Sequence, residues 1–403
     1  MPNLTFISER LKTIKPSPSI AANELVTTLR AEGKDIVNFT IGEPDFDTPE
    51  HIIQAAIAAL KNGETHYTPA AGTVALRKAV CEKLARDNGL TYAPNEIVCG
   101  SGGKHIIFHA FAATLNKDDE VIIHAPYWVS YPDLAILNEA RPVVVEGDEA
   151  NGFKLTPAQL ANSITARTRW VVLNYPNNPT GAVYTAAELA ALAAVLRQHP
   201  GVLIMLDEIY EHFVYDQYEH TSLAAVAPDL KDRILIINGA SKGYAMTGWR
   251  LGFAAGPRWL VDAITKLISQ TTTCPSSVSQ AAAAAAFAGD QRPVKEMLSI
   301  YAARRQKIIE LLSDVPGIRF TAPAGAFYLF INVGGLIGKT QPNGRVLHSD
   351  DDVVEYLLRD AGVATVTGKA YGLSPYLRIS FASAIEAIEE GCRRITSALK
   401  QLQ

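Results

Sequence analysis

Lys242 stands in the string Ser241-Lys242-Gly243-Tyr244-Ala245-Met246-Thr247-Gly248-Trp249-Arg250, directly after the apolar run 233–239. A strand that ends there delivers the lysine at its carboxyl end. An amine so placed can form a Schiff base with a carbonyl, and the guanidinium eight residues on is a fixed cation suited to a phosphate. A lone lysine is otherwise a solvated surface charge, so its partners elsewhere in the chain decide its meaning.

Three strings offer such partners. Gly100-Ser101-Gly102-Gly103-Lys104 lies between an expected strand and an expected helix. Glycines let backbone N–H groups approach an anion, and the helix start adds partial positive charge. The string fits neither the ATP-binding loop nor the dinucleotide fingerprint, and an ordinary strand–helix turn would read the same way. Asn174-Tyr175-Pro176-Asn177-Asn178-Pro179-Thr180-Gly181 predicts a rigid turn after a buried strand, with Asn178 able to donate to a ligand oxygen. In Leu203-Ile204-Met205-Leu206-Asp207-Glu208-Ile209-Tyr210, a carboxylate follows four apolar strand residues. Burying it requires a cation, for which a protonated pyridine nitrogen is one choice, or else the aspartate caps the next helix. Tyr210 would reach the same ligand. His105 and His109 are spaced as ligands on one helix face, but no third metal ligand accompanies them, and no metal site is expected.

These residues need a scaffold. Apolar runs near 96–99, 120–124, 142–145, 170–173, 202–206 and 234–237 alternate with helical patterns, and several are continuously apolar. That predicts an α/β fold with a mostly parallel sheet covered on both faces. The six-alanine run 281–286 predicts a closely packed helix. Beyond it the chain reads as a smaller α+β unit. A helix is expected over about 292–313 with Arg304, Arg305 and Lys307 on its polar side, then an exposed loop 334–349. A helix near 351–360, a half-exposed strand 376–381 and a last helix to about 401 complete it. The expected division is 1–48 (an arm joining the smaller unit), 49–290 and 291–403. With 403 residues, 48% hydrophobic and 19% charged, the chain can bury a large core. A net charge of −4 and the lack of a basic stripe argue against nucleic acid, and no apolar run suits a membrane. Cys81, Cys99, Cys274 and Cys392 are scattered, as reduced thiols in a cytoplasmic protein are.

Taken in order, these strings, with Ile41-Gly42-Glu43-Pro44-Asp45-Phe46-Asp47-Thr48-Pro49 and a late Arg378, closely resemble the class I aminotransferases of pyridoxal phosphate (PLP) fold type I. The likeness runs from about Lys15 to the C-terminus and is greatest to the prokaryotic aspartate aminotransferase subgroup. It implies that Lys242 bonds the cofactor and moves protons, that Asp207 pairs with its ring nitrogen, and that Asn178 and Tyr210 contact its ring oxygen. Trp128 would stack on the ring, and Gly102, Gly103, Ser241 and Arg250 would hold the phosphate. Tyr67 would reach the phosphate of a neighbouring subunit, which implies a homodimer. Arg378 and Gly42 would bind the substrate α-carboxylate.

The resemblance also sets out what chooses the substrate. Residues 269–280 hold no arginine for a distal carboxylate, so Lys104 is the leading cation and Lys15 the second. In this subgroup the N-terminal lysine goes with acceptance of prephenate, which Ser19, in place of a threonine, leaves open. The expected reaction is ping-pong transamination between aspartate and 2-oxoglutarate, the alternatives being aspartate/prephenate, aromatic or alanine transamination. Two departures stand out: Gly239 replaces a phosphate-binding serine, and Thr367 replaces a proline.

Overall fold

The computed structural model describes residues 6–14 and 18–403. Its strands are β1 (Val37–Asn38), β2 (Ile97–Gly100), β3 (Glu120–Ala125), β4 (Arg141–Glu146), β5 (Thr168–Asn174) and β6 (Leu203–Asp207). They continue with β7 (Ile234–Gly239), β8 (Gly252–Ala255), β9 (Tyr328–Asn332), β10 (Val363–Ala364), β11 (Val366–Thr367) and β12 (Tyr376–Ser380). Seven form one sheet in the order β2-β8-β7-β6-β5-β3-β4. From β4 to β7 neighbours pair in parallel, as the continuously apolar runs predict; β8 lies antiparallel between β7 and β2.

The strand pleat sends alternate side chains to opposite faces. Ile122, Val171, Leu173, Ile204, Leu206 and Ile236 enter one core, with the helices Glu50–Lys61, Val74–Asn88 and Ser277–Ala288. Val121, Ile123, Val172, Met205 and Leu235 enter the other, under Gly103–Thr114 and Arg258–Thr271. The alanine run lies within Ser277–Ala288, where Ala282, Ala283 and Ala286 are fully buried, so this helix packs closely on its neighbours.

A separate apolar core gathers Phe39, Tyr301, Ile308, Leu329, Ile331, Val353, Ile379, Ile388 and Ile395. It surrounds the antiparallel sheet β11-β12-β9 and the helices Arg292–Leu312, Asp350–Asp360 and Ile385–Leu399. β1, early in the chain, pairs in parallel with β10, with Val37 opposite Val363.

Three expectations change. β12 is buried along its whole length rather than half-exposed: Leu377 and Ile379 enter the second core, while Arg378 lines a cavity against the large sheet. Arg304 and Arg305 are buried rather than solvated. Arg304 forks onto Asp45 at 2.6 and 2.8 Å, and Arg305 reaches Asp216 at 2.8 Å, the pairing that buried charges require. The loop 334–349 is not simply exposed, because Leu336, Gln341 and Leu347 are buried in it. At the second departure from the subgroup, the Thr367 hydroxyl donates to the buried Asp350 carboxylate at 3.0 Å. Among the described residues no helix is long and apolar enough to cross a membrane.

Candidate active site

The carboxyl ends of β5, β6 and β7 lie side by side, with Asn174 opposite Asp207 and Asp207 opposite Ile237. Ligands of open α/β sheets bind at such strand ends. A cavity of about 310 Å³ opens there, within the range of small-molecule sites. Asp207, Tyr210, Asn178, Ser241 and Lys242 reach it from the strand ends and the turns that follow. Gly103 and Lys104 come from the start of the helix after β2, Trp128 from the turn after β3, and Arg250 from the turn before β8. Gly42 and Arg378 come from the opposite side, beside the second core.

The Lys242 amine donates to the Gly42 carbonyl at 2.6 Å. Burial lowers its pKa to about 8; Glu43 opposes that shift, and Arg378 and Arg250 add to it. The amine is therefore poised to lose its proton near neutral pH, as a nucleophile and proton carrier must. Asp207 does not act as a helix cap. Burial raises its pKa to about 6, held from going higher by the Tyr131 hydroxyl, which donates to Oδ2 at 2.5 Å. At neutral pH it is mainly ionised. Nothing in the sequence singled out Tyr131, which comes from the start of a short helix 76 positions away.

Arg378 is buried, with Nη2 donating to the Thr40 carbonyl at 2.6 Å and Nη1 to Asn178 Oδ1 at 3.1 Å. Its Nε has no hydrogen bond, and its guanidinium lies 4.3 Å over the Tyr328 ring. Tyr328, which no sequence motif marked, shares a 2.7 Å hydrogen bond with the Tyr210 hydroxyl. Asn178 uses its carbonyl oxygen on Arg378, which leaves its amide N–H groups as donors.

At the other end, Gly102 adopts φ +92°, and a Cβ there would meet Arg250 Nη2 at 2.6 Å. The missing side chain is what lets the guanidinium lie over the helix start at Gly103. Gly239 pairs with Gly252 across β7 and β8, and a Cβ on it would lie 2.9 Å from the Gly252 Cα. A serine at 239 would therefore have to push β8 away, and Ser241 is the nearby hydroxyl on the cavity wall.

The Lys104 ammonium lies 4.9 Å from the centre of the Trp128 ring, its pKa lowered by burial and by Arg250. Tyr67 is outside the cavity and 87% exposed. Lys15 lies outside the described residues. His105 and His109 bond Thr272 and Thr271, at 3.1 and 2.7 Å, and so pin two helices together.

The class I and II aminotransferase family matches residues 34–395. The chain is 46% identical to the aspartate/prephenate aminotransferase of Cereibacter sphaeroides, across 97% of this chain and 98% of that one. It is 45% identical to an aspartate aminotransferase of Rhizobium meliloti, across 98% and 96%.

The chain belongs to the class I and II aminotransferases.

The crystal structure of the Rhizobium meliloti aspartate aminotransferase superposes with a TM-score of 0.96 at 44% identity, covering 98% of this chain and 99% of that one. The aspartate aminotransferase from Thermus thermophilus with maleate superposes with a TM-score of 0.90 at 38% identity, covering 97% and 99%. This aminotransferase is thus a transaminase, and its cofactor is pyridoxal 5′-phosphate. Its residues fit that group. The Gly102–Arg250 cradle suits a phosphate, the ionised and buried Asp207 needs a cationic partner, and Lys242 is a half-buried amine of lowered pKa beside both.

Proposed function

We propose that this chain transfers the amino group of L-aspartate to 2-oxoglutarate, giving oxaloacetate and L-glutamate in a ping-pong reaction. The observation that carries this reading is the set of cations around one cavity. Lys242, Arg250, Arg378 and Lys104 all line it, and none makes an ion pair with a carboxylate within 4 Å among the described residues. Three anions would use them: the cofactor phosphate at Arg250, the substrate α-carboxylate at Arg378, and a distal carboxylate at Lys104. The maleate that accompanies the Thermus thermophilus enzyme is itself a dicarboxylate.

The cofactor, when bound, supplies an electron sink that stabilises negative charge at the substrate α-carbon. Gly102, Gly103, Ser241 and Arg250 would hold its phosphate. Asp207 would hold its ring nitrogen protonated. Asn178 and Tyr210 would contact its ring oxygen, and Trp128 would cover its face. Arg378, aided by Gly42, fixes the α-carboxylate so that the substrate Cα proton points at Lys242. The Lys242 amine takes that proton and returns it elsewhere on the same face.

A second reading, transamination of prephenate, is favoured by the name of the Cereibacter sphaeroides relative. Lys15 would contribute there. The division 1–48, 49–290 and 291–403 is supported by the separate apolar core and the β1–β10 pair. We read the enzyme as a homodimer, in which the exposed Tyr67 would reach the partner's phosphate. A cytoplasmic location suits its four free cysteines.

The test is half-reaction kinetics on the PLP form with aspartate, glutamate, alanine, phenylalanine and arogenate. Aspartate should react fastest. Lys104→Ala should cost aspartate about 10–100-fold in kcat/KM, as loss of a charged hydrogen bond does, and alanine almost nothing. Equal losses for both would remove Lys104 from the distal carboxylate.

A further inference from the structure

Tyr131 opens the helix Tyr131–Leu137, three residues after Trp128 on the same turn, and the two rings meet edge to face at 5.2 Å. Its ring is fully buried, and its hydroxyl donates to Asp207 Oδ2 at 2.5 Å. The other carboxylate oxygen has only a 3.4 Å contact from the Ile209 N–H. The two oxygens of Asp207 are therefore unequal: one is engaged by a strong donor, and the other is available to the cavity that Asp207 lines. On its far side Tyr131 walls a second, smaller chamber with His124. Burial there lowers the His124 pKa to about 4, so this imidazole stays neutral and does not compete for Asp207.

We infer that Tyr131 is a positioning residue that orients the Asp207 carboxylate toward the cofactor ring nitrogen and keeps it ionised. The tyrosine remains a donor at every working pH, because burial and the neighbouring carboxylate raise its own pKa. One turn of chain then serves the ring twice, with Trp128 at its face and Tyr131 behind its nitrogen partner. The inference rests on the assignment of Asp207 to that nitrogen.

The test is a double-mutant cycle of Tyr131→Phe and Asp207→Asn, read in two ways: PLP affinity by equilibrium dialysis, and the pH at which the bound cofactor's visible absorbance titrates. Phenylalanine keeps the contact with Trp128, and apoenzyme melting checks that each variant folds. Tyr131→Phe should weaken PLP about tenfold (about 1.4 kcal/mol) and shift the titration in the same direction as Asp207→Asn, by less. The double variant should be no worse than Asp207→Asn alone, because Tyr131 acts through Asp207. A Tyr131→Phe enzyme with parental affinity and titration overturns the inference, as does an effect that adds fully to that of Asp207→Asn. If Asp207→Asn itself leaves both readouts unchanged, the assignment of Asp207 fails instead.

Discussion

Asp207 and Glu208 are adjacent in the chain and enter charged clusters of opposite character. Asp207 faces a cavity where cations outnumber carboxylates and, among the described residues, make no ion pair within 4 Å. Glu208 belongs to a sealed cluster in which every charge has an opposite beside it. There His220 Nε2 lies 3.4 Å from Glu208, the fully buried Lys83 ammonium pairs with Glu211, and Asn88 donates to the other Glu211 oxygen at 2.7 Å. The front cluster opens to solvent at Lys104 and Arg250 while Lys83, Glu208 and Glu211 are buried, yet both clusters shift pKa values, so perturbed acidity does not separate them. Charge balance does. The rear charges are paired by residues of the chain itself, while on the proposed function the front ones would be completed by anionic ligands.

The clearest way to sharpen this contrast is to remove one cation from each cluster. Arg378→Leu should lower kcat/KM by about 10²–10³ for every amino acid, since the α-carboxylate is common to all. Its effect on apoenzyme melting should be small, because among the described residues no carboxylate pairs with it to be left behind. Lys83→Met should do the reverse. It strands the buried Glu211 carboxylate and should cost about 3–5 kcal/mol in unfolding free energy, measured by chemical denaturation. The fraction that remains folded should keep near-parental kcat/KM. A kinetic defect in Lys83→Met as large as that in Arg378→Leu would erase the distinction.

The smallest expected effect is in the pH dependence of apoenzyme stability. Burial disfavours charge on His220, but Glu208 overcomes this and raises its pKa above 6.5. Its contribution is therefore complete below 6.5 and fades as pH rises through the folded value. Burial likewise raises the Glu211 carboxyl, but Lys83 and the nearby histidines pull it well below its ordinary 4.5. That contribution is present above 4.5 and fades as pH falls. The rear cluster thus stabilises most between those two limits, and His220→Gln should flatten the decline on the alkaline side of a melting-temperature profile.

Residues that share a short string with their strand were legible from the sequence. Lys242, Asp207 and Asn178 each follow an apolar run that ends at the site, and β5, β6 and β7 deliver them to one cavity. What the sequence did not show are contacts between distant segments. Tyr131 meets Asp207, and Tyr328 meets Tyr210, only after the sheet and the second core have assembled. β8 gave no signal because Gly252-Phe253-Ala254-Ala255 is only four residues long, three of them small. Arg304 and Arg305 read as a solvated face because the pattern of one helix carries no trace of Asp45 and Asp216, which pair with them. The front cluster was legible because its charges sit in local strings. The rear one was not, because Lys83, Glu211 and His220 converge from three separate stretches of chain.

The central claim is that Lys242, among all the lysines, is the amine that bonds the cofactor. Borohydride reduction of the holoenzyme, followed by proteolysis and peptide mass spectrometry, reads this directly. The reduced pyridoxyl phosphate should sit on the peptide containing Lys242 and on no other. Attachment at Lys104 or elsewhere, with Lys242 recovered unmodified, would contradict it.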